Sequence, residues 1–220
     1  MKFHVSFAAL VAGLCCVLLC LCSCHKNTQP VKTVSRETFH LMQKTQSELA
    51  TCIERCRAQA EESKDRDTLL ALANSQQLLA DRHETIISSL QKKNKFEKIS
   101  TASYPIELDP RMLVLAPPDE YKQTLATANP DKTRGEVLIA LEITNKVLEA
   151  DQAILSLIDP DSEEGLDLDF FLCPVCGHLD IRAPEENCPV CNTDKEKIVK
   201  LKNGNLPPRK EESFIFPDAD

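Results

Sequence analysis

Apolar residues recur every three or four positions along two long stretches of the chain, the spacing of one face of an α-helix. The first stretch covers 35–62 and has apolar residues at Phe39, Met42, Leu49, Cys52, Ile53 and Cys56. The second runs to about Lys92 and has them at Leu69, Leu72, Ala73, Leu79, Ala80, Ile86, Ile87 and Leu90. Because only the polar turn 63–67 separates them, the two predicted helices pack antiparallel.

A third long helix is predicted from Asn129 to about Ile158. Asn129 and Pro130 are residue types favoured at the N-cap and the first helical position. Its apolar positions are Val137, Leu141, Val147, Leu148, Ile154, Leu155 and Ile158. Prolines interrupt the stretch before it, where we expect a short helix over 119–128 and a segment, 112–116, that packs on the helices. The pattern therefore predicts a mainly α fold, an antiparallel bundle of three long helices over 35–160.

The N-terminus has the pattern of a secretory signal. Lys2 precedes the apolar run 5–22, and Ser23 is a small residue immediately before Cys24. Leu21 to Cys24 resembles a bacterial lipobox, which implies removal of residues 1–23, lipid attachment at Cys24 and a polar tether over 24–34. The expected location is the bacterial cell envelope, on a membrane and facing the periplasm or the exterior. An uncleaved signal anchor is the alternative, because about eighteen apolar residues approach the minimum for a membrane span.

The charge balance limits the classes of partner. The chain has 34 acidic and 26 basic residues, a net charge of −8. This excess of acidic residues argues against nucleic-acid binding, which needs basic surfaces. We expect a membrane contact through the lipid anchor, and a redox protein or a second copy of the bundle as possible protein partners.

Two Cys-x-x-Cys motifs near the C-terminus carry the clearest chemical signal. They are Cys173-Pro-Val-Cys176 followed by Gly177, and Cys188-Pro-Val-Cys191 followed by Asn192. Four thiolates in this spacing fit one tetrahedral zinc or iron ion. Gly177 and Asn192 stand where such a turn adopts positive φ, which these two residue types tolerate. Two disulfides or reactive thiols are the alternative interpretation.

Apart from Cys24, two further cysteines lie outside these motifs and outside the predicted signal. Cys52 and Cys56 are four residues apart in the first helix, so they share one helix face. We interpret them as core residues, because a free cysteine is commonly buried. A redox pair or a thiol sensor is the alternative.

The region from Phe170 to about Leu201 resembles rubredoxin, and in particular the rubredoxin-like tail of rubrerythrins. The resemblance rests on Phe170-Phe171-Leu172, on both cysteine motifs and on Ala183-Pro184-Glu185 between them. It implies an acidic linker over 161–169, a metal module of the rubredoxin or zinc-ribbon kind over 170–202, and a loose tail over 203–220. His178 stands where this family often has an aromatic residue, and we expect it to donate to a sulfur or to face water.

The order of helices and metal module also resembles a rubrerythrin, whose ferritin-like bundle holds two irons. The residues that such a site needs are incomplete here. A di-iron bundle uses two Glu-x-x-His pairs, but the segment 80–85 contains none, and Thr144 stands where a ligand glutamate would be expected. We interpret His83 as a half-buried core histidine bonded to a neighbour. The expected bundle is thus a ferritin-like one without its di-iron ligands.

These observations favour a metal-binding protein rather than an enzyme. The four motif cysteines are expected to hold one iron or zinc ion, for one-electron transfer or for structural support of the module. A rubrerythrin-like peroxidase is the enzyme alternative, with a divergent site drawn from Glu48, Asp81, His83, Glu84 and Glu142. A zinc-stabilised structural or scaffold lipoprotein is the third.

Overall fold

The computed structural model describes residues 34–94, 111–127 and 135–204. Its helices are α1 (Arg36–Ala60), α2 (Arg66–Asn94), α3 (Asp119–Thr127) and α4 (Gly135–Leu155). Its strands are β1 (Phe171–Leu172), β2 (Leu179–Asp180) and β3 (Val199–Lys200), with a 3₁₀ turn at Lys195–Lys197. The mainly helical class is confirmed. The bundle of three long helices is not, because the described part has four helices, and Tyr121 from short α3 is fully buried among the others.

Local capping explains where the first two helices begin. Ser35 Oγ accepts a hydrogen bond of 3.1 Å from the Thr38 main-chain N–H, so the predicted N-cap of α1 is confirmed. The turn between α1 and α2 is closed by Ser63 Oγ, which accepts from the Asp65 N–H at 3.0 Å. The Asp65 carbonyl then accepts from the Leu69 N–H and starts α2.

The helices bury the apolar faces that the sequence predicts. Every apolar position listed for α1 and α2 is buried. In α4 the prediction extends too far, because the helix ends at Leu155, and Leu155 and Ile158 are only half-buried. Asn129 and Pro130, the predicted start of this helix, lie outside the described residues.

The core consists of two apolar clusters. One lies toward the start of α1 and the end of α2, and includes Phe39, Met42, Ile86, Leu90 and Leu141. The other lies toward the opposite ends of these helices, and includes Leu49, Cys56, Leu72, Leu79 and Leu148.

Between the two clusters, each long helix contributes buried polar side chains, which we call the polar layer. Its members are Thr45 and Glu48 of α1, His83 of α2 and Thr144 of α4, all buried. On each helix these residues fall at the sequence position where the apolar residues change from one cluster to the other.

The segment 112–116 packs on the helices, as predicted, and its main chain is held by amide side chains. Gln76 donates to the Leu113 carbonyl at 3.1 Å and accepts from the Leu115 N–H at 3.3 Å. Gln152 of α4 donates to the Val114 carbonyl at 2.8 Å. These bonds satisfy main-chain groups that would otherwise be buried without a partner.

The C-terminal part forms a three-stranded antiparallel sheet in the order β2-β1-β3. Phe171 pairs with Asp180 and with Lys200, while Leu172 pairs with Leu179 and Val199. Strand β1 is therefore central, and the first cysteine motif forms the hairpin loop between β1 and β2.

This sheet module packs directly against the helices. Phe170, Leu172 and Leu179 belong to the same apolar cluster as the residues of α1, α2 and α4. The linker itself is tied to the start of α2, because Lys64 Nζ donates to the Asp159 carbonyl at 2.8 Å and the Leu166 N–H donates to Asp65 Oδ1 at 2.9 Å. The predicted residue bounds of linker and module stay predictions.

The chain divides into two compact units, Met1–Lys32 and Thr33–Asp220, and all described residues belong to the second. The predicted signal 1–23, the predicted lipidation site Cys24, most of the predicted tether and the tail beyond Gly204 lie outside the described residues. Within 34–94, 111–127 and 135–204, no helix is both long enough and apolar enough to cross a membrane.

Candidate metal centre

The first cysteine motif is a tight loop with a regular set of hydrogen bonds. The Cys173 N–H donates to the His178 carbonyl and the Gly177 N–H donates to the Cys173 carbonyl, each at 2.9 Å. Gly177 has φ 85°, which a side chain would strain. The predicted positive φ is therefore confirmed.

The second motif repeats this geometry. The Cys188 N–H donates to the Thr193 carbonyl and the Asn192 N–H donates to the Cys188 carbonyl, each at 2.8 Å. Asn192 has φ 59°, as predicted. The two loops have the same main-chain hydrogen bonds and the same positive φ, although the sequence shows no repeat beyond the two motifs.

The four sulfurs converge on one point. The Sγ atoms of Cys173, Cys176, Cys188 and Cys191 all lie within 4.8 Å of one another. The pairs Cys173–Cys191 and Cys176–Cys188 are 3.6 Å apart. Sulfurs bound at about 2.3 Å to a tetrahedral ion lie about 3.8 Å apart, so the cluster has the size that one ion requires. A disulfide needs about 2.05 Å, so the geometry does not support the disulfide alternative.

The sulfurs also polarise one another. Hydrogen bonds among the thiols lower the pKa of Cys173, with Cys176 the largest contributor, to about 6. They lower the pKa of Cys191 as well, mainly through Cys173, and raise that of Cys176, again mainly through Cys173. Hydrogen bonds from the other thiols also raise the pKa of Cys188, mainly through Cys173, so the four thiols share their protons as one set.

Two further donors lie beside the sulfurs. The main-chain N–H of His178 donates to Cys176 Sγ at 3.4 Å, and the Thr193 hydroxyl lies 3.0 Å from Cys191 Sγ. Both donors follow the second cysteine of their motif by two residues. The sequence reasoning overlooked Thr193, although its position corresponds to that of His178. For His178 the expectation of a donor is met by the main chain, whereas its ring nitrogen Nδ1 has no partner among the described residues.

The site is open on one side. Cys173, Cys176 and Cys188 are buried, whereas Cys191 is partly exposed. Cys191 lines a surface cleft together with Ile139 and Ile143 of α4 and Val190 of the second loop. Ile139 is 56% exposed, which leaves an apolar surface next to the least buried sulfur.

The structure does not bring together the five residues of the alternative carboxylate site. Glu142 is exposed and pairs with Lys146 at 2.8 Å. Glu84 is also exposed, and Asp81 accepts a hydrogen bond from Gln77 at the edge of the bundle. Asp81 and Glu84 therefore do not both face the interior of the helices. Across the described part of the chain, the only group of three or more potential metal ligands is the four cysteines.

In the polar layer, His83 and Thr144 bond to each other. His83 Nε2 lies 2.9 Å from Thr144 Oγ1, and both residues are fully buried. The expected bond to a neighbour is confirmed, but the expected half-burial is not. Glu48, the remaining member of the alternative site, is buried in the same layer, and burial raises its pKa.

Cys52 and Cys56 are buried, as expected for core residues. Burial raises their pKa values to about 11 and about 12, so neither forms a thiolate near neutral pH. The Cys56 thiol donates to the Leu113 carbonyl at 3.1 Å. These properties favour packing over a thiol sensor.

Comparison of the sequence with protein families and with curated proteins finds no match. Solved structures do match. The fully reduced, all-ferrous state of nigerythrin has a TM-score of 0.54 and 14% identity, covering 79% of this chain and 91% of that one. The described fold is nigerythrin-like.

Two other states of nigerythrin, a protein of the rubrerythrin family, match equally well. The partially reduced state has a TM-score of 0.53 and the mixed-valence state one of 0.52, each at 14% identity over 79% of this chain and 90% of that one. At this identity the likeness concerns the fold. It agrees with the rubrerythrin resemblance of the sequence.

Proposed function

We propose that this protein binds one iron ion at Cys173, Cys176, Cys188 and Cys191 and uses it to transfer single electrons. The observation that carries the proposal is the convergence of the four sulfurs within 4.8 Å. Four thiolates are a complete tetrahedral set for iron or zinc, and no protein ligand is missing. The nigerythrin-like fold favours iron, since the fully reduced nigerythrin structure is described as all ferrous.

The surroundings of the cysteines suit electron transfer. Iron on four thiolates exchanges one electron between its ferric and ferrous states, and its potential depends on hydrogen bonds to the sulfurs and on exposure. The His178 N–H and the Thr193 hydroxyl supply such bonds. Cys191 and the exposed Ile139 beside it offer a surface where a redox protein partner can approach the site.

A structural zinc site is the second candidate, because the same four thiolates suit zinc. The observation in its favour is that the module shares an apolar core with the helices, so the bound ion also supports the fold. The peroxidase alternative has no comparable support, since Glu142 and Glu84 face solvent.

We also propose that Cys24 anchors the protein to a membrane of the bacterial cell envelope through a lipid. Ser23 before Cys24, after the apolar run 5–22, is the support for this location.

The decisive experiment is metal analysis with visible absorption of the purified chain. We expect about one iron per chain and the red colour of ferric iron on thiolates. Cys188→Ser should lose the colour, because three thiolates leave an open position. Cys52→Ser is the matched control, since Cys52 is equally buried but lies outside the cluster, and it should keep the iron. One zinc and no iron would favour the structural candidate, and three irons per chain would favour the peroxidase.

A further inference from the structure

A continuous series of hydrogen bonds joins the interior of the helices to the metal site. Ser75 Oγ of α2 lies 2.7 Å from the Gly177 carbonyl oxygen, and 2.9 and 2.8 Å from the two carboxyl oxygens of Asp151 in α4. Ser75 and Asp151 are both fully buried. This bonding was not expected from the sequence, where neither residue was singled out.

Proton counting fixes the direction of these bonds. A serine hydroxyl carries one proton and cannot donate to both Asp151 and Gly177. If Asp151 is protonated, its O–H donates to Ser75 Oγ, and the Ser75 O–H donates to the Gly177 carbonyl. Every member is then satisfied. If Asp151 is ionised, the Ser75 hydroxyl donates its hydrogen bond to the carboxylate, and the Gly177 carbonyl has no donor from Ser75.

The surroundings of Asp151 favour the protonated arrangement. Its carboxyl is completely buried, and burial raises its pKa well above the ordinary range, against a smaller opposing effect of the Ser75 hydrogen bond. An isolated carboxylate in such an environment is costly, and the group remains neutral instead.

The Gly177–His178 peptide carries the series on to the sulfur. Its carbonyl accepts from Ser75, and its N–H, which belongs to His178, donates to Cys176 Sγ at 3.4 Å. Hydrogen bonds in series polarise one another, so a donor at the carbonyl strengthens donation by the N–H of the same peptide. The path thus runs from Asp151 through Ser75 and this peptide to a ligand sulfur.

Close packing holds this path in place. A Cβ at Gly177 would lie 2.9 Å from the Ser75 carbonyl oxygen, so the loop rests directly on the α2 backbone. In the second loop the corresponding peptide follows Asn192, which is exposed. The hydrogen bond from Ser75 of α2 therefore reaches the main chain of the first loop, at the peptide that donates to Cys176.

We propose that Ser75 and Asp151 are positioning residues that raise the reduction potential of iron bound at the four cysteines, acting through the Gly177–His178 peptide on Cys176. The inference rests on the proposed function, because it concerns the same site. The reduced site carries one more negative charge than the oxidised one, so a stronger N–H···S bond stabilises the reduced state more.

The test compares variants of the full chain loaded with iron, by potentiometric titration. For Ser75→Ala we expect the equilibrium constant for reduction to fall about two- to fivefold, because each hydrogen bond in a series is strengthened by roughly 10–30%. Since a tenfold change in the equilibrium constant corresponds to 59 mV for one electron, the reduction potential should fall by about 20 to 40 mV. Ser75→Ala combined with Asp151→Leu should show the same fall without leaving a buried carboxyl unpaired. Asp151→Asn alone should keep the wild-type reduction potential, because the amide N–H of the asparagine can donate to Ser75.

A second readout needs no iron. In the zinc-loaded protein, the amide proton resonance of His178 should move upfield in Ser75→Ala and in the double variant, but not in Asp151→Asn. Ser88→Ala, at an exposed serine of the same helix, is the control and should change neither readout.

The outcomes separate the two proposals. If the wild type binds iron but Ser75→Ala and the double variant keep both its potential and its His178 resonance, the inference is overturned and the proposed function stands. If Asp151→Asn lowers the reduction potential as much as Ser75→Ala does, the role of Asp151 is overturned. A wild type that binds no metal would overturn both proposals.

Discussion

The buried histidine of the polar layer makes the stability of the protein depend on pH in a predictable way. His83 is fully buried, and burial lowers its pKa from 6.5 to about 4. The Thr144 hydroxyl donates to the Ala140 carbonyl at 2.8 Å, so its oxygen is free to accept from His83 Nε2–H at 2.9 Å. The neutral imidazole is therefore the form that the fold accommodates.

The sign follows from proton binding. Between pH 6.5 and 4 the unfolded chain protonates this histidine and the folded chain does not, so the unfolded state gains as pH falls. The contribution of His83 is fully present above pH 6.5 and is lost as the pH falls toward 4. With these two pKa values, the free energy of unfolding should lose about 1.3 kcal/mol between pH 7.5 and pH 5.5 through this residue alone.

The assay must separate His83 from Asp151, whose raised pKa has the opposite effect: its contribution is lost as the pH rises. We therefore compare denaturant unfolding of the wild type with that of His83→Gln at pH 7.5 and 5.5. The wild type should lose about 1.3 kcal/mol more than His83→Gln over this interval. Thr144→Ser, which keeps the hydroxyl, should follow the wild type. Equal losses in the wild type and His83→Gln would show that His83 is not held neutral, and the argument from burial would fail.

Three other predictions concern the cysteine loops and the N-terminus. Gly177→Ala should lower the free energy of unfolding by at least about 1–2 kcal/mol, since φ is 85° and a Cβ would lie 2.9 Å from the Ser75 carbonyl oxygen. Gly135→Ala, where a Cβ meets nothing within 4 Å, should not destabilise, and equal effects would contradict the packing argument. Cys188→Ser should reduce amide protection in α2 and α4 as well as in the sheet, because they share one apolar cluster. Loss of protection in the sheet alone would show that the sheet module folds independently of the helices. Intact-mass spectrometry of the membrane fraction should show loss of residues 1–23 and added acyl mass at Cys24, whereas a chain that keeps Met1 would leave the signal anchor.

Local patterns predicted the parts of this fold that local physics determines. The cap at Ser35 and the apolar faces of α1 and α2 follow from hydrogen bonding and periodicity within one segment. The same is true of the positive φ at Gly177 and Asn192, since the turn after each cysteine pair requires it. The four-cysteine cluster was equally visible, because the ligand spacing of each pair lies within four residues.

The packing of the module on the helices could not be predicted in this way. The contacts join residues about a hundred positions apart, as between Ser75 and Gly177 or between Asp65 and Leu166. In the sequence, the acidic residues after α4 indicate a solvated linker, yet a lysine and an aspartate of the α1–α2 turn bind its main chain. In the sequence, a glycine such as Gly177, which contacts a distant helix, cannot be distinguished from a glycine that only permits a turn.

The helices contain two groups of buried polar side chains, and the two groups have different hydrogen-bond partners. In the polar layer, His83 Nε2 bonds to Thr144 between two helices, and the acidic residues nearest in sequence, Glu84 and Glu142, face solvent. Within the described residues, the layer's potential ligands His83 and Glu48 do not form part of a cluster of three or more metal-ligating groups. The other arrangement, Asp151 with Ser75, leads out of the helices to the peptide that donates to Cys176. Burying a carboxyl is costly unless it is bonded, and the fully buried Asp151 has its bond with Ser75, beside the cysteine site. The proposed redox function therefore rests on the four cysteines, and Asp151 and Ser75 connect the helices to them.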